Sequence, residues 1–155
     1  SHEPESHLIP LAIKAALNLD QKNSRLKVFG DDYATNDGTC VRDYIHVNDL
    51  AEAHCLALKL LSSDSFSGDV EESNQLGLAL NLGTAHGASV KEVIAAVESV
   101  TGKVVPYDLV ERRPGDPPSL VADYSKAAQV LAWQPKFDLR QTVDSAYNWE
   151  LKRRY

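Results

Sequence analysis

The chain has 155 residues, 43% of them hydrophobic and 25% charged, and its 16 basic against 22 acidic side chains leave a net charge of −6. That length supports one domain (residues 1–155) with a core of its own and shows no sign of two. A mildly acidic surface argues against nucleic acid or an anionic membrane as the main partner, and no apolar run is long enough to span a bilayer or reads as a signal peptide.

Ser1-His2-Glu3-Pro4-Glu5 has neither a methionine nor a first strand, so it reads as the interior of a longer polypeptide. Pro10 suits the first turn of a helix whose Ile9, Ile13, Ala16 and Leu17 recur at helical spacing and which ends between Asn18 and Asn23. Leu26 to Phe29 is a short strand. A loop rich in Gly, Asp, Asn and Thr follows, and such a loop is costly to order unless it serves a site. From Thr39 to Val47 the pattern is extended, with Val41, Asp43, Ile45 and Val47 on one face and Arg42, Tyr44 and His46 on the other. Asn48 or Asp49 is the expected cap of a helix with Leu50, His54, Ala57, Leu58 and Leu61 as its apolar stripe.

Residues 62–75 are polar and acidic and read as a solvated loop. Leu78 to Leu82 reads as a buried strand closed by Gly83. Ser89 and Glu92 make a capping box for a helix with Val90, Val93, Ile94 and Val97 on its buried face and Gly102 as its stop. Val104 to Val110 is another strand, and Glu111 to Ser119 is a proline-rich loop. Leu120 and Val121 resume extended structure, and Asp123 or Ser125 caps a short helix ending at Leu131. Trp133 and Pro135 make a turn. Asp138 and Gln141 cap the last helix, which buries Leu139, Val143, Ala146 and Tyr147. Cys40 and Cys55 are too far apart to form a metal-like or redox pair, so a reduced, cytoplasmic protein is expected, with Cys55 packed in its helix.

For chemistry, Arg42 stands among β-formers where the chain is half buried, and a cation held there wants an anionic partner. Arg42 and Arg113 each admit two readings. One is a structural ion pair, with Asp43 for Arg42 and with Asp116 or Glu111 for Arg113. The other is phosphate binding, since planar guanidinium groups hold phosphate through paired, charge-assisted hydrogen bonds. Spacing alone leaves the two balanced. Composition favours Phe29 as core, Tyr44 as packing, Asp116 as a turn residue and Arg112 as solvated. His46 and His54 are eight apart, wrong for two ligands on one helical face, so both read as packing or hydrogen-bonding histidines. Gly83-Thr84-Ala85-His86-Gly87 follows a strand pattern, but its glycine spacing does not fit a dinucleotide-binding turn, and a tight connection is the better reading.

Phe29-Gly30-x-Asp32-Tyr33-x-Thr35-x-Asp37-Gly38-Thr39 followed by Val41-Arg42-Asp43-Tyr44-Ile45-His46-Val47 resembles the UDP-glucose 4-epimerases of the extended short-chain dehydrogenase/reductase superfamily. The resemblance runs to Trp133 and on toward the last helix, and it matches only the C-terminal, substrate-binding part of that family. The elements read above sum to a small α/β domain of few short strands and about five helices, and the resemblance implies that it stands without the Rossmann half. It further implies that Arg42 and Arg113 bind the diphosphate and that Asp116 accepts the ribose hydroxyls. Val28 and Phe29 would border the uracil, Tyr44 would stand beside the nucleotide, and Leu8 would touch it through its backbone. His7 stands where some relatives have Asn. Leu120 would border the hexose, which leans the reading to UDP-glucose and UDP-galactose with UDP-GlcNAc and UDP-GalNAc left open.

The family's NAD site and its catalytic Ser, Tyr and Lys lie in the other part, and no Tyr here is followed four residues later by Lys. The sequence therefore reads as the substrate-binding portion of an isomerase that uses NAD when complete, with no catalytic, cofactor or metal residue of its own. Two alternatives remain open. One is a related nucleotide-sugar dehydratase, decarboxylase or reductase, which the DYxTxDGT stretch disfavours; the other is a non-catalytic remnant binding a nucleotide or a partner. Self-association, or a separate N-terminal NAD-binding half, is the implied way of covering the missing side.

Overall fold

Amphipathic spacing, two capping boxes and a handful of short β-rich runs account for most of the architecture. The computed structural model describes residues 5–19, 25–62 and 78–152. Within them the order is α1 (Leu8–Leu17), β1 (Leu26–Phe29), β2 (Val41–Arg42), α2 (Val47–Leu61), β3 (Ala88–Ser89), α3 (Val90–Thr101), β4 (Tyr107–Val110), β5 (Ser119–Leu120), α4 (Ser125–Leu131) and α5 (Leu139–Lys152). The class is α/β. None of the described helices is long and apolar enough to cross a membrane.

Two hydrophobic clusters carry the packing. The larger gathers Ile9, Ala12, Ile13 and Ala16 of α1, Leu26 and Val28 of β1, Val90, Val93, Ile94 and Val97 of α3, and Val143 of α5. Helix α3 delivers its stripe there because the capping box fixes its start. Ser89 Oγ accepts from the Glu92 N–H at 3.0 Å, and the Glu92 carboxylate accepts from the Ser89 N–H at 2.7 Å. Gly102, at φ 66°, ends the helix in the left-handed conformation that costs glycine least. Helix α5 starts from the expected reciprocal pair, Asp138 N–H to Gln141 at 2.9 Å and Gln141 N–H to Asp138 at 2.8 Å. The smaller cluster joins Ala53 of α2, Ala127 and Leu131 of α4, and Trp133, which is 1% exposed.

The strands form two small sheets. β1 and β4 run parallel, with Leu26 opposite Tyr107 and Phe29 opposite Val110. β2 lies between β3 and β5, antiparallel to β3 and parallel to β5, with Arg42 opposite both Ala88 and Leu120.

The structure corrects several expectations. The extended run from 39 to 47 is a strand only at Val41 and Arg42, and Val47 already belongs to α2. The cap of α2 is neither Asn48 nor Asp49 but His46, whose Nδ1 accepts the Asn48 N–H at 3.0 Å. The buried face also differs from the expected stripe. Asp49 and Ala53 are buried and Leu56 and Leu60 pack inward, while Leu58 and Leu61 are 64% and 63% exposed and His54 faces outward. Cys55 is exposed rather than packed. Residues 78–82 form no strand. Leu80 and Leu82 pack on the smaller cluster without a ladder, and Leu78 is exposed. The strand expected from Val104 begins at Tyr107. The polar loop lies, beyond Ser62, outside the described residues.

Candidate functional site

Parallel pairing of β2 with β5 brings Arg42 beside the proline-rich loop. Arg42 Nη2 lies 3.2 Å from Asp116 Oδ1, and Nη1 donates to the carbonyl oxygens of Pro117 at 3.0 Å and Val41 at 2.7 Å. Both side chains of the pair are half-buried, so the guanidinium is held in one pose with part of its surface open to solvent. The partner expected from sequence, Asp43, is turned away. Asp43 instead accepts the Thr84 N–H at 2.9 and 3.0 Å, the Thr84 hydroxyl at 2.7 Å and the Ala122 N–H at 3.1 Å.

On the other sheet, Val110 stands opposite Phe29, and the chain leaving β4 carries Arg113 back over that ring. Its guanidinium carbon lies 3.8 Å from the Phe29 centroid. Arg113 therefore pairs with neither Glu111 nor Asp116 but with an aromatic face, an attraction of about 0.5–1 kcal/mol when exposed. The Asp116 N–H donates to the Arg113 carbonyl at 3.3 Å, which closes a turn and sets the two side chains on one stretch of surface. Arg112 is exposed, as expected of a solvated cation, and is also held in place. It pairs with Asp32 at 2.5 Å and lies 4.2 Å over the Tyr33 ring, pinning the 30–39 loop.

Phe29, Arg113, Asp116, Arg42 and Leu120 thus form a continuous chain of contacts and strand neighbours. Leu120 is 62% exposed next to Arg42. Val28 sits beside Phe29, but the whole residue, backbone included, is 1% exposed and belongs to the larger cluster. Leu8 opens α1 and packs on the larger cluster, and its N–H belongs to the first turn, where helical donors have no partner within the helix. His7 Nδ1 lies 2.7 Å from Glu5 and makes no cap bond to α1. Tyr44 also packs on the larger cluster. Burial pushes its phenol up to about 12, the Cys40 side chain adding to the rise and the Arg42 guanidinium opposing it, so it stays protonated at neutral pH.

Tyr44 is the predicted residue that also lines a cleft of about 510 Å³, together with His86, Glu92, Tyr124, Lys136 and Phe137. Phe29, Arg113, Asp116, Arg42 and Leu120 lie outside that cleft, while Val28 and Leu8 belong to or pack on the larger cluster. Asp37 is a residue that sequence reasoning passed over. Its carboxylate accepts the Thr39 N–H at 2.8 Å, the Thr39 hydroxyl at 2.7 Å and the Ser89 hydroxyl, and Lys91 Nζ donates to its carbonyl at 2.8 Å. These bonds tie the loop to α3. The signal was present in the Asp-Gly-Thr turn, where an Asp side chain bonds the backbone two residues on.

His46 and His54 do the structural work expected. His46 is 3% exposed and stacks on Phe137 with centroids 4.1 Å apart, while His54 Nδ1 lies 2.7 Å from the Leu50 carbonyl. Among the described residues no group of His, Cys, Asp and Glu is placed to hold a metal. The turn at 83–87 does not fit a dinucleotide. A Cβ on Gly83 would meet the Ala122 Cβ at 2.6 Å, and one on Gly87 would meet Val121 Cγ2 at 2.6 Å. The space above both glycines is filled by this chain's own residues. A pyrophosphate needs that space open.

The family model described as GDP-mannose 4,6 dehydratase matches residues 2–146. A curated relative from Rhizobium meliloti, named UDP-glucose 4-epimerase, is 49% identical over 98% of this chain and 42% of its own length. A crystal structure of a UDP-glucose 4-epimerase from Stenotrophomonas maltophila, with bound NAD and formylated UDP-arabinopyranose, superimposes with a TM-score of 0.82. It is 40% identical and is matched over 97% of this chain and 41% of its own. The UDP-Glc/GlcNAc 4-epimerase from Campylobacter jejuni gives a TM-score of 0.76 at 39% identity, over 99% of this chain and 43% of its own. The chain thus spans about 42% of the length of the curated relatives it matches. It belongs to the nucleotide-sugar-modifying family that the GDP-mannose 4,6 dehydratase model describes, and within it this chain resembles the C-terminal part of the UDP-glucose 4-epimerases.

Proposed function

We propose that this chain is the substrate-binding portion of a UDP-glucose 4-epimerase, and that it anchors uridine diphosphate through Arg42, Arg113 and Asp116. The observation that carries the reading is the half-buried Arg42–Asp116 pair, fixed within one turn of Arg113 on the Phe29 ring. Two guanidinium groups against one carboxylate leave a net positive charge where a diphosphate would lie. The guanidinium groups offer the forked donors that phosphate oxygens accept. Asp116, an acceptor-only group, suits a ribose diol. Phe29 offers a flat apolar face for the uracil, and Val28, expected at its edge, is buried behind the ring and supports the strand. Tyr44 would stand beside the nucleotide, and Leu8 would present its N–H to it.

Leu120, exposed beside Arg42, would border the hexose, which favours UDP-glucose and UDP-galactose over their N-acetylated counterparts. A competition assay in which UDP-GlcNAc binds as tightly as UDP-glucose would reverse that preference. Binding energy from the nucleotide can hold a 4-keto intermediate while the sugar remains free to turn over between hydride loss and return. In the complete enzyme NAD would accept and return that hydride. Its site would lie in the rest of the complete enzyme, this chain contributing grip and orientation. A reduced, cytoplasmic setting accords with the two free cysteines.

Calorimetry with UDP tests the assignment. Arg42→Ala and Arg113→Ala should each weaken binding by about 1.5–3 kcal/mol, the scale of hydrogen bonds to a charged group. Unchanged affinity in both would remove them from the site.

A further inference from the structure

We propose that Asp43 is a positioning residue for this nucleotide clamp. Its carboxylate fastens three chain segments and thereby fixes where Arg42 and Leu120 stand. The proposal rests on the reading of Arg42 and Asp116 as ligand contacts. β2 and β5 pair over only two positions, Val41 with Ser119 and Arg42 with Leu120. So short a ladder constrains register weakly. It is secured at both ends. On the near side the Val41 N–H donates to the Pro118 carbonyl at 2.8 Å, and on the far side the Ala122 N–H donates to Asp43 at 3.1 Å. The connection therefore continues past the last paired residue, with a side chain in place of a backbone carbonyl.

The same carboxylate captures the third segment through the Thr84 N–H and hydroxyl. That turn is packed against the far end of the clamp strand. A Cβ on Gly83 would meet Ala122, one on Gly87 would meet Val121, and Ala85 between them holds a φ of 57°. Each Asp43 oxygen faces a backbone N–H, Thr84's at Oδ1 and Ala122's at Oδ2, so an acceptor-only side chain is required. Asn has the same shape, but it would turn an NH2 toward an N–H. Asp43 touches neither β1 nor β4 through any of these bonds, and those strands carry Phe29 and Arg113. Its influence should reach the diphosphate and hexose end of the clamp and leave the uracil end alone.

The test compares UDP and uridine binding by titration to the full chain, for wild type, Asp43→Asn and Arg42→Ala. Asp43→Asn should weaken UDP about tenfold and uridine less than twofold. Its Thr84 and Ala122 amides should lose hydrogen-exchange protection, while those of Leu26 and Gly30, bonded to Pro106 and Val110, keep theirs. Equal losses for UDP and uridine would reduce Asp43 to a general stabiliser and overturn the proposal, as would unchanged UDP affinity. Should Asp43→Asn not fold, Thr84→Val removes only the hydroxyl, and it should show the same selective loss at a few-fold size. A wild type that depends on Arg42 but on neither Asp43 nor Thr84 sinks this inference alone. A wild type indifferent to Arg42 sinks the clamp itself and this role with it.

Discussion

The Thr39 N–H, the Thr39 hydroxyl and the Ser89 hydroxyl all converge on Asp37. Burial on its own would raise that carboxyl, but the bonds from Ser89 and Thr39, with the Lys91 charge nearby, outweigh it and hold the group below its ordinary value of 3.8. A carboxylate depressed in the folded state adds stability above its unfolded value and loses it as pH falls through the folded one. Wild type should therefore melt progressively lower below about pH 4, whereas Asp37→Asn should start lower at pH 7 and fall less steeply. Parallel thermal melts at pH 7 and pH 3 check this; a constant gap between the two proteins would remove Asp37 from the acid response. Single residues also mark the limit of what sequence discloses. Arg42 was visible as a half-buried cation needing an anion, yet its partner lies 74 residues away, and the neighbouring Asp43 looked the obvious choice. Strand alternation in fact separates neighbours to opposite faces, and only the pairing of β2 with β5 reveals Asp116.

Elements with a local, reciprocal signal were legible in full. The Ser89–Glu92 and Asp138–Gln141 boxes, the α3 stripe and the Gly102 stop all stand where spacing put them, because each depends on groups within one helical turn. Helix α2 was misread at its start because its cap is a histidine, a residue outside the usual capping set, and on its face because the buried side includes the carboxylate of Asp49, which hydrophobic spacing does not reveal. Among the described residues the 78–82 run has strand composition without a ladder, and pairing is what makes a strand. The cap at Ser89 supports an element-scale prediction. Ser89→Ala removes the acceptor for the Glu92 N–H and should lower stability by about 1 kcal/mol in denaturant melts, while Ser89→Asp should restore little. Aspartate would keep the cap but set a second carboxylate against Asp37. Full recovery by Ser89→Asp would show that the cap alone matters.

Across the whole molecule, the two clusters hold different parts of the candidate site. The larger supports β1 and with it Phe29; the smaller sits under α2 and α4 around Trp133, whose ring N–H donates to the Asp49 carbonyl at 3.0 Å. Fold class was readable because both clusters grow from periodic helices, while the open face bearing Arg42, Arg113 and Leu120 carries no periodic signal. Its assignment came from motif resemblance. What the chain should do chemically follows from the same division. In the proposed function the clamp residues bind and orient; the tyrosines lack a lysine four residues on, and the glycine turn at 83–87 is filled by Asp43, Ala122 and Val121. Hydride transfer needs a held acceptor and an acid/base group, and the proposed function places both outside this chain. The purified chain with NAD and UDP-galactose should therefore form no UDP-glucose above the uncatalysed background, even at concentrations that saturate UDP binding. Product detection by chromatography decides it: turnover by this chain, abolished by Tyr44→Phe or Tyr124→Phe, would mean that one of the cleft tyrosines is a catalytic acid/base and that the division of labour argued from the clamp is wrong.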